Sequence, residues 1–177
     1  MQTALSDPSQ AEVDALHAHF CTQDVDIAMH DSGLVNRRDA YEPGVVRRLE
    51  TADLVLITGG SPERLYDCTV DTPALHALRV ASDRGAVIAG CSAGAIVVGA
   101  GMPVGAADDR RPGRFWELIR RTVVAPHFGR YDIEPWLRSF PECVVLGIPD
   151  DTMALVVHGR KVRSVGGQPL YLASCSG

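Results

Sequence analysis

Residues Gly90–Gly94 form a G-x-S-x-G motif with Ser92 at its centre. The apolar segment Ala86–Ala89 precedes the motif and small residues from Ala95 onward follow it, so we expect a strand before it and a helix after it. A nucleophile elbow needs small residues two before and two after the serine, because the chain turns sharply there. The motif therefore predicts a nucleophilic Ser92, with the amide of Ala93 available to a developing oxyanion. A turn that binds phosphate or only packs tightly is the alternative.

A serine nucleophile needs a general base, and His127 is the best candidate among the six histidines. It directly follows the short apolar segment Thr122–Ala125 and precedes a loop, which is where an α/β sheet presents catalytic groups. Gly59-Gly60-Ser61 ends another apolar run and predicts further backbone N–H groups at the same edge. The other histidines lie in predicted helices, at a strand end without a supporting motif, or in a hairpin turn: His17, His19, His76, His30 and His158.

Apolar strands alternate with amphipathic helices along the chain, which is typical of an α/β layered fold with a mostly parallel sheet. Helices are predicted near residues 10–20, 43–50, 72–84 and 133–140, and strands at 24–30, 52–58, 86–89, 122–125 and 143–148. Three further short strands, at 153–157, 161–165 and 170–172, predict a C-terminal β-meander.

The 177 residues predict one domain, residues 1–177, and the net charge of −5 argues against a protein that coats nucleic acid or an anionic membrane. The uncharged stretch Gly85–Ala107 is rich in glycine and contains Pro103, so we expect no membrane span there. Arginines between residues 110 and 121 surround Phe115 and Trp116; we interpret them as a solvated face or a substrate-steering patch rather than a nucleic-acid site.

Five cysteines without a C-x-x-C pair favour a reducing compartment, and the N-terminus lacks the features of a secretory signal. We therefore expect a cytoplasmic protein. No ligand cluster and no G-x-G-x-x-G motif is present in the sequence, so no metal or cofactor is predicted. A homodimer that covers an exposed sheet edge is a candidate assembly.

Four blocks, Ala52–Leu65, Gly85–Ala95, Val123–Arg130 and Gly147–Val156, resemble the serine peptidases of the dipeptidase E and cyanophycinase family. They cover about a quarter of the chain, and their order and intervals fit over most of it. The resemblance implies a class I glutamine amidotransferase-like (flavodoxin-like) fold, a three-layer α/β/α sandwich. The family's usual N-terminal strand precedes the segment that Thr3–Asp7 matches, so we expect a domain that lacks this strand.

The resemblance also implies roles for individual residues. Ser92 would be the nucleophile and His127 the general base, with the amides of Gly60 and Ala93 as the oxyanion hole. The third member of the triad would be Asp150, which we prefer because it follows a predicted strand. The alternatives for this position are the neighbouring aspartate and two residues in the loop after the nucleophile helix: Asp151, Asp108 and Asp109.

Two positions bear on substrate binding. Ser61 stands where many members carry an Asp/Asn-Gln pair, and Arg130 is the one basic residue in a loop that often offers two to an acidic side chain. We therefore expect a serine-type peptidase acting on small peptides, with aspartyl peptides as an expectation from the family. The alternatives are a non-catalytic binding or regulatory domain of the same fold and a relative of the Cys-dependent amidotransferases, with Cys91 as the nucleophile.

Overall fold

A computed structural model describes residues 30–103, 113–157 and 161–175 of the chain. These residues fall into two compact units that divide between Ile88 and Ala89. The helix predicted near residues 10–20 lies outside the described residues, as does the strand predicted before His30. His30 itself is exposed and has no regular secondary structure.

The described part of the first unit, from residue 30 onward, contains three α-helices, and each begins with a proline. Proline is favoured in the first turn because its fixed φ suits a helix and because the first N–H groups have no partner within the helix. Side chains cap two of the three starts: Ser61 Oγ accepts from Arg64 N–H at 3.1 Å, and Thr72 Oγ1 accepts from Leu75 N–H at 3.4 Å. The elements are a 3-10 turn (Asp39–Tyr41), α1 (Pro43–Thr51), β1 (Leu54–Ile57), α2 (Pro62–Thr69), α3 (Pro73–Asp83) and the start of β2 (Val87–Gly90).

The core of the first unit lies where α1 packs against α3. Val45 and Leu49 of α1 are buried, as are Leu75 and Leu78 of α3, so each helix buries an apolar face. The strand β1 hydrogen-bonds with β2. Among the described residues of this unit, the helices predicted at 43–50 and 72–84 and the strands predicted at 52–58 and 86–89 are confirmed, whereas α2 was not predicted.

The second unit begins in β2 and contains two short helices and seven further strands among its described residues. Its elements are α4 (Ala93–Val98), β3 (Gly101–Met102), β4 (Gly113–Arg114), β5 (Thr122–Pro126), α5 (Glu134–Ser139), β6 (Val144–Ile148), β7 (Thr152–Val157), β8 (Lys161–Gly166) and β9 (Tyr171–Ala173).

The strands β5 and β6 run parallel, in a register that pairs Thr122 with Val144 and Pro126 with Ile148. The predicted C-terminal segments all form strands, and β7 and β8 pair as an antiparallel hairpin. The third segment departs from a simple meander, because β9 pairs antiparallel with β6 instead of β8. This pairing satisfies backbone groups on the edge of β6 that β5 leaves open.

The core of the second unit forms around β5, α5 and β6. Val123 and Val145 are fully buried in the two parallel strands, and Trp136 and Phe140 pack against them. Phe115 and Trp116 are also buried, so these two aromatic rings belong to the core and are not available for stacking on bases. Arg110 and Arg111 of the same stretch lie outside the described residues.

The described part of the stretch Gly85–Ala107 forms β2, the six-residue helix α4 and β3. In the described parts of the chain, no helix has both the length and the apolar character that crossing a membrane requires.

Leu146 and Leu172 are cross-strand partners in β6 and β9, yet Leu146 is 1% exposed and Leu172 is 63% exposed. We expect Leu146→Ala to lower the free energy of unfolding by about 2–5 kcal/mol, because it leaves a cavity in the core. Leu172→Ala, the matched control, should change it by less than about 0.5 kcal/mol. Urea denaturation followed by tryptophan fluorescence measures the free energy of unfolding of both variants. Equal effects would contradict the difference in burial between Leu146 and Leu172.

Candidate active site

Ser92 lies at the sharp turn between β2, which ends at Gly90, and α4, which begins at Ala93. The predicted strand-turn-helix placement is thus confirmed. Ser92 has φ +51° and ψ −114°, a conformation that a residue with a side chain rarely adopts. A Cβ added at Gly90 would lie 2.4 Å from the carbonyl oxygen of Gly94, so the turn requires glycine there. This packing is the steric constraint that the motif implies.

His127 directly follows β5, and backbone hydrogen bonds hold it on a tight turn. Its φ is +56°, so this residue also departs from the usual region for an L-amino acid. The His127 carbonyl accepts from the N–H of Arg130 at 3.2 Å, and the N–H of Phe128 donates to the carbonyl of Ile148 at 3.1 Å. The second bond ties residues 127–131, the histidine loop, to the end of β6.

The ring of Phe128 adds a packing constraint to the same loop. It lies over Gly147, where an added Cβ would be 2.3 Å from a ring carbon. The same ring stacks on Tyr171 of β9, with ring centroids 4.4 Å apart and planes at 25°. Gly147 therefore leaves the space that lets the residue after His127 pack onto the sheet.

Tyr131 closes the histidine loop from its far end. Its hydroxyl donates to the carbonyl of Pro126, the residue before His127, and its ring stacks near Trp136 at a centroid distance of 6.0 Å. Burial raises the pKa of the Tyr131 phenol to about 12, so the hydroxyl keeps the proton that it donates.

Asp150 follows β6, and its backbone carbonyl lies near two donors, Thr152 Oγ1 at 3.5 Å and Gln168 Nε2 at 3.4 Å. The next residue, Asp151, has φ +58°, and its carbonyl accepts from Gly167 N–H at 3.3 Å. These contacts fix the turn between β6 and β7. They thereby fix the backbone that carries the Asp150 carboxylate.

The three turns bring Ser92, His127 and Asp150 together. His127 Nε2 lies 3.3 Å from Ser92 Oγ, and His127 Nδ1 lies 2.7 Å from Asp150 Oδ1. Because a carboxylate only accepts, the second contact places the proton of a neutral imidazole on Nδ1 and leaves Nε2 as an acceptor for the serine hydroxyl. The side chains of His127 and Asp150 are 47% and 37% exposed, so the arrangement is open to solvent.

The Asp150 carboxylate also pairs with Arg130, whose guanidinium contacts Oδ2. The hydrogen bond from His127 and the charge of Arg130 hold the pKa of Asp150 below its ordinary value of 3.8, despite the opposing effect of desolvation. Asp150 is therefore ionised at neutral pH.

The remaining predicted residues have other surroundings. Gly60 and Ser61 belong to the first unit; Gly60 is exposed, and the Ser61 hydroxyl caps α2 and donates to Glu63 at 2.9 Å. Their predicted roles stay predictions. Asp108 and Asp109 lie outside the described residues, as do His17, His19 and His158, whereas His76 lies in α3.

The described cysteines differ in accessibility. Cys91 and Cys175 are exposed, whereas burial raises the pKa of the Cys68 and Cys143 thiols. Within the described ranges, no group of three or more His, Cys, Asp or Glu side chains is arranged to hold a metal ion.

The sequence did not reveal Tyr131, Thr152, Gln168 and Phe128 as supports of the site. Their contacts run between loops, and no local pattern of residue types indicates them. Gly147 is different, since a glycine inside a buried strand often marks a close approach of another group.

A family model described as Peptidase family S51 matches residues 32–165, which include all three residues that the turns bring together. The chain belongs to peptidase family S51. This confirms the resemblance to the dipeptidase E and cyanophycinase family that the four sequence blocks carry.

Two relatives with the name cyanophycinase are similar to this member of peptidase family S51. The protein from Geminocystis herdmanii is 28% identical over 67% of this chain and 48% of its own length. The protein from Trichormus variabilis is 30% identical over 75% of this chain and 49% of its own length. The chain thus spans about half the length of the curated relatives that it matches.

A crystal structure of a peptidase from an acI-B1 actinobacterium matches with a TM-score of 0.74 and 20% identity, over 99% of this chain and 80% of the other. This likeness shows the fold, and the α/β class predicted from the sequence is confirmed.

Gly147→Ala tests the packing beneath the histidine loop. We expect a loss of about 1–3 kcal/mol in the free energy of unfolding, because the added methyl group overlaps the Phe128 ring. Gly167→Ala is the matched control, since a Cβ at Gly167 meets nothing within 4 Å. Chemical denaturation of both variants measures the difference, and a neutral Gly147→Ala would refute the close packing.

The titration of Asp150 tests the hydrogen bond from His127. Because the folded-state pKa is lowered, this carboxylate stabilises the fold above the unfolded-state pKa, and the contribution is lost as the pH falls through the folded value. Carboxyl ¹³C NMR should give a midpoint below 3.8 in the native protein and a higher midpoint in His127→Ala. Arg114→Gln, which removes a charge paired with Glu142, should leave the midpoint unchanged.

Proposed function

We propose that the chain is a serine-type peptidase that acts on small peptides through Ser92, His127 and Asp150. The observation that carries the proposal is the continuous hydrogen-bonded series from Ser92 Oγ through both imidazole nitrogens to Asp150 Oδ1. A serine becomes nucleophilic when an adjacent base accepts its proton and a third group orients that base. Membership of peptidase family S51 supports the same chemistry.

The reaction begins when Ser92 Oγ attacks the carbonyl carbon of the scissile amide. His127 Nε2 accepts the hydroxyl proton, and Asp150, which accepts from Nδ1–H, orients the imidazole and stabilises the imidazolium. The imidazolium then gives its proton to the amide nitrogen as the C–N bond breaks, and the amine leaves. His127 then deprotonates a water molecule, which attacks the carbonyl carbon of the resulting ester. The imidazolium returns the proton to Ser92 Oγ as the ester C–O bond breaks and the acid leaves.

The negative charge on the tetrahedral intermediate needs hydrogen-bond donors in place before the reaction. The Ala93 amide is suited to this role, because Ala93 is the first residue of α4 and the first N–H groups of a helix have no partner within it. Ala93 directly follows Ser92 in sequence, which supports this assignment. The family resemblance implies the amide of Gly60 as a second donor, and that role stays a prediction.

The substrate class in this proposal is a small peptide, with aspartyl peptides as the first compounds to try. Aspartyl peptides are the expectation from the family resemblance, and the similarity to two relatives named cyanophycinase supports that resemblance. Cys91 is a weaker candidate nucleophile, since the base contacts the hydroxyl of Ser92.

A fluorophosphonate probe tests the mechanism without knowledge of the substrate. We expect one adduct, located on Ser92 by mass spectrometry and absent from Ser92→Ala. His127→Ala should lower the labelling rate about 10²–10⁴-fold, because it removes the general base. Two controls should label like the native protein: Ser82→Ala, which removes an exposed hydroxyl in α3, and Cys91→Ala, which removes the neighbouring thiol.

Failure to label a folded native protein would overturn the peptidase proposal and favour a binding or regulatory domain. Labelling that survives in Ser92→Ala but is lost in Cys91→Ala would instead indicate thiol chemistry.

A further inference from the structure

Among the residues that the structure describes, the Asp150 carboxylate has one partner on each oxygen. Oδ1 lies 2.7 Å from His127 Nδ1, and Oδ2 contacts the guanidinium of Arg130. Arg130 also belongs to the turn that carries His127, because its N–H donates to the His127 carbonyl at 3.2 Å. The Asp150 carboxylate thus links the imidazole to the guanidinium, and the backbone of Arg130 is bonded back to that of His127. Each of these contacts limits the movement of the groups that it joins.

An aspartate carboxylate rotates freely about its last bond unless its surroundings hold it, because this torsion has broad minima. Asp150 is more than a third exposed, so packing alone does not select one orientation. An arginine on Oδ2 restrains this rotation, since its planar guanidinium prefers the plane of the carboxylate.

We propose that Arg130 is a positioning residue that keeps Asp150 Oδ1 directed at His127, rather than a residue that chiefly receives an acidic group of the substrate. This inference rests on the proposed function, because it assigns Arg130 to the support of the same serine nucleophile. It differs from the substrate role expected for Arg130 from the sequence.

The charge of Arg130 adds a second effect. Together with the hydrogen bond from His127, it helps to keep the pKa of Asp150 below the ordinary value, so the carboxylate that orients the imidazole stays ionised. In the described part of the chain, the charged groups that act on Asp150 are His127 and Arg130, and Asp151 is adjacent in sequence. Because Arg130 is 69% exposed, solvent screens its charge and the expected effects are modest.

The experiment measures the rate of labelling by an uncharged fluorophosphonate between pH 5 and 9. For Arg130→Gln we expect a plateau rate lowered roughly two- to fivefold, as for the loss of an exposed ion pair. Arg130→Lys keeps the charge but not the planar fork, so it should restore only part of the rate.

Arg114→Gln is the matched control. Arg114 is another exposed arginine in an ion pair, and its partner Glu142 precedes β6 whereas Asp150 follows it. The five residues of β6 span about 16 Å at a rise of about 3.3 Å per residue, and this length exceeds the Debye length of about 8 Å at physiological ionic strength. Its labelling profile should therefore match that of the native protein.

Proton NMR of the His127 Nδ1–H provides a readout that does not require catalysis. We expect a downfield resonance in the native protein that is retained in Arg114→Gln and broadened or lost in Arg130→Gln. If the probe fails to label the native protein but the His127 Nδ1–H resonance still depends on Arg130, the peptidase function is refuted and the positioning role is supported. If Arg130→Gln changes neither the labelling profile nor the His127 Nδ1–H resonance, the inference is overturned.

Discussion

The parallel register of β5 and β6 is the constraint on which the candidate site depends. Pro126 pairs with Ile148, so the turns that follow the two strands begin side by side. His127 is one residue beyond the first strand and Asp150 two residues beyond the second, which puts imidazole and carboxylate within 2.7 Å. A slip of one residue would reverse the faces of the side chains in one strand and take the buried Val145 out of the core. The packing of the core and the geometry of the site are therefore set by one choice of register.

Three residues at the site, Ser92, His127 and Asp151, have positive φ although none is glycine. Such conformations cost about 1–3 kcal/mol each and persist only where the surroundings over-determine them. The surroundings here are backbone hydrogen bonds at the ends of buried strands and glycines that admit close neighbours, such as Gly90 beneath the turn at Ser92. The strands that position the side chains of the site therefore also stabilise these strained backbone conformations.

The sequence predicts the parts of this structure that local patterns encode. The apolar runs give β5 and β6, and the glycines of the G-x-S-x-G motif give the turn at Ser92, because each pattern reflects a local steric or burial requirement. The pairing of β9 with β6 depends on segments far apart in the chain, so it was not predicted. The helix α2 was missed because its eight residues, PERLYDCT, carry charges among few apolar residues. The contact of Arg130 with Asp150 depends on where two loops place their side chains, which no spacing encodes.

An exposed histidine and carboxylate cannot rely on burial to hold them in place. Water screens their attraction, and each side chain gains entropy when it moves freely. The loop that carries His127 compensates with ties at three points: the Phe128 N–H to the end of β6, the Arg130 N–H to the His127 carbonyl, and the Tyr131 hydroxyl to Pro126. These bonds restrict the backbone, so the imidazole loses little further freedom when it contacts Ser92. An open site can therefore be preorganised by the rigidity of its loops, without the enclosure that a deep pocket would provide.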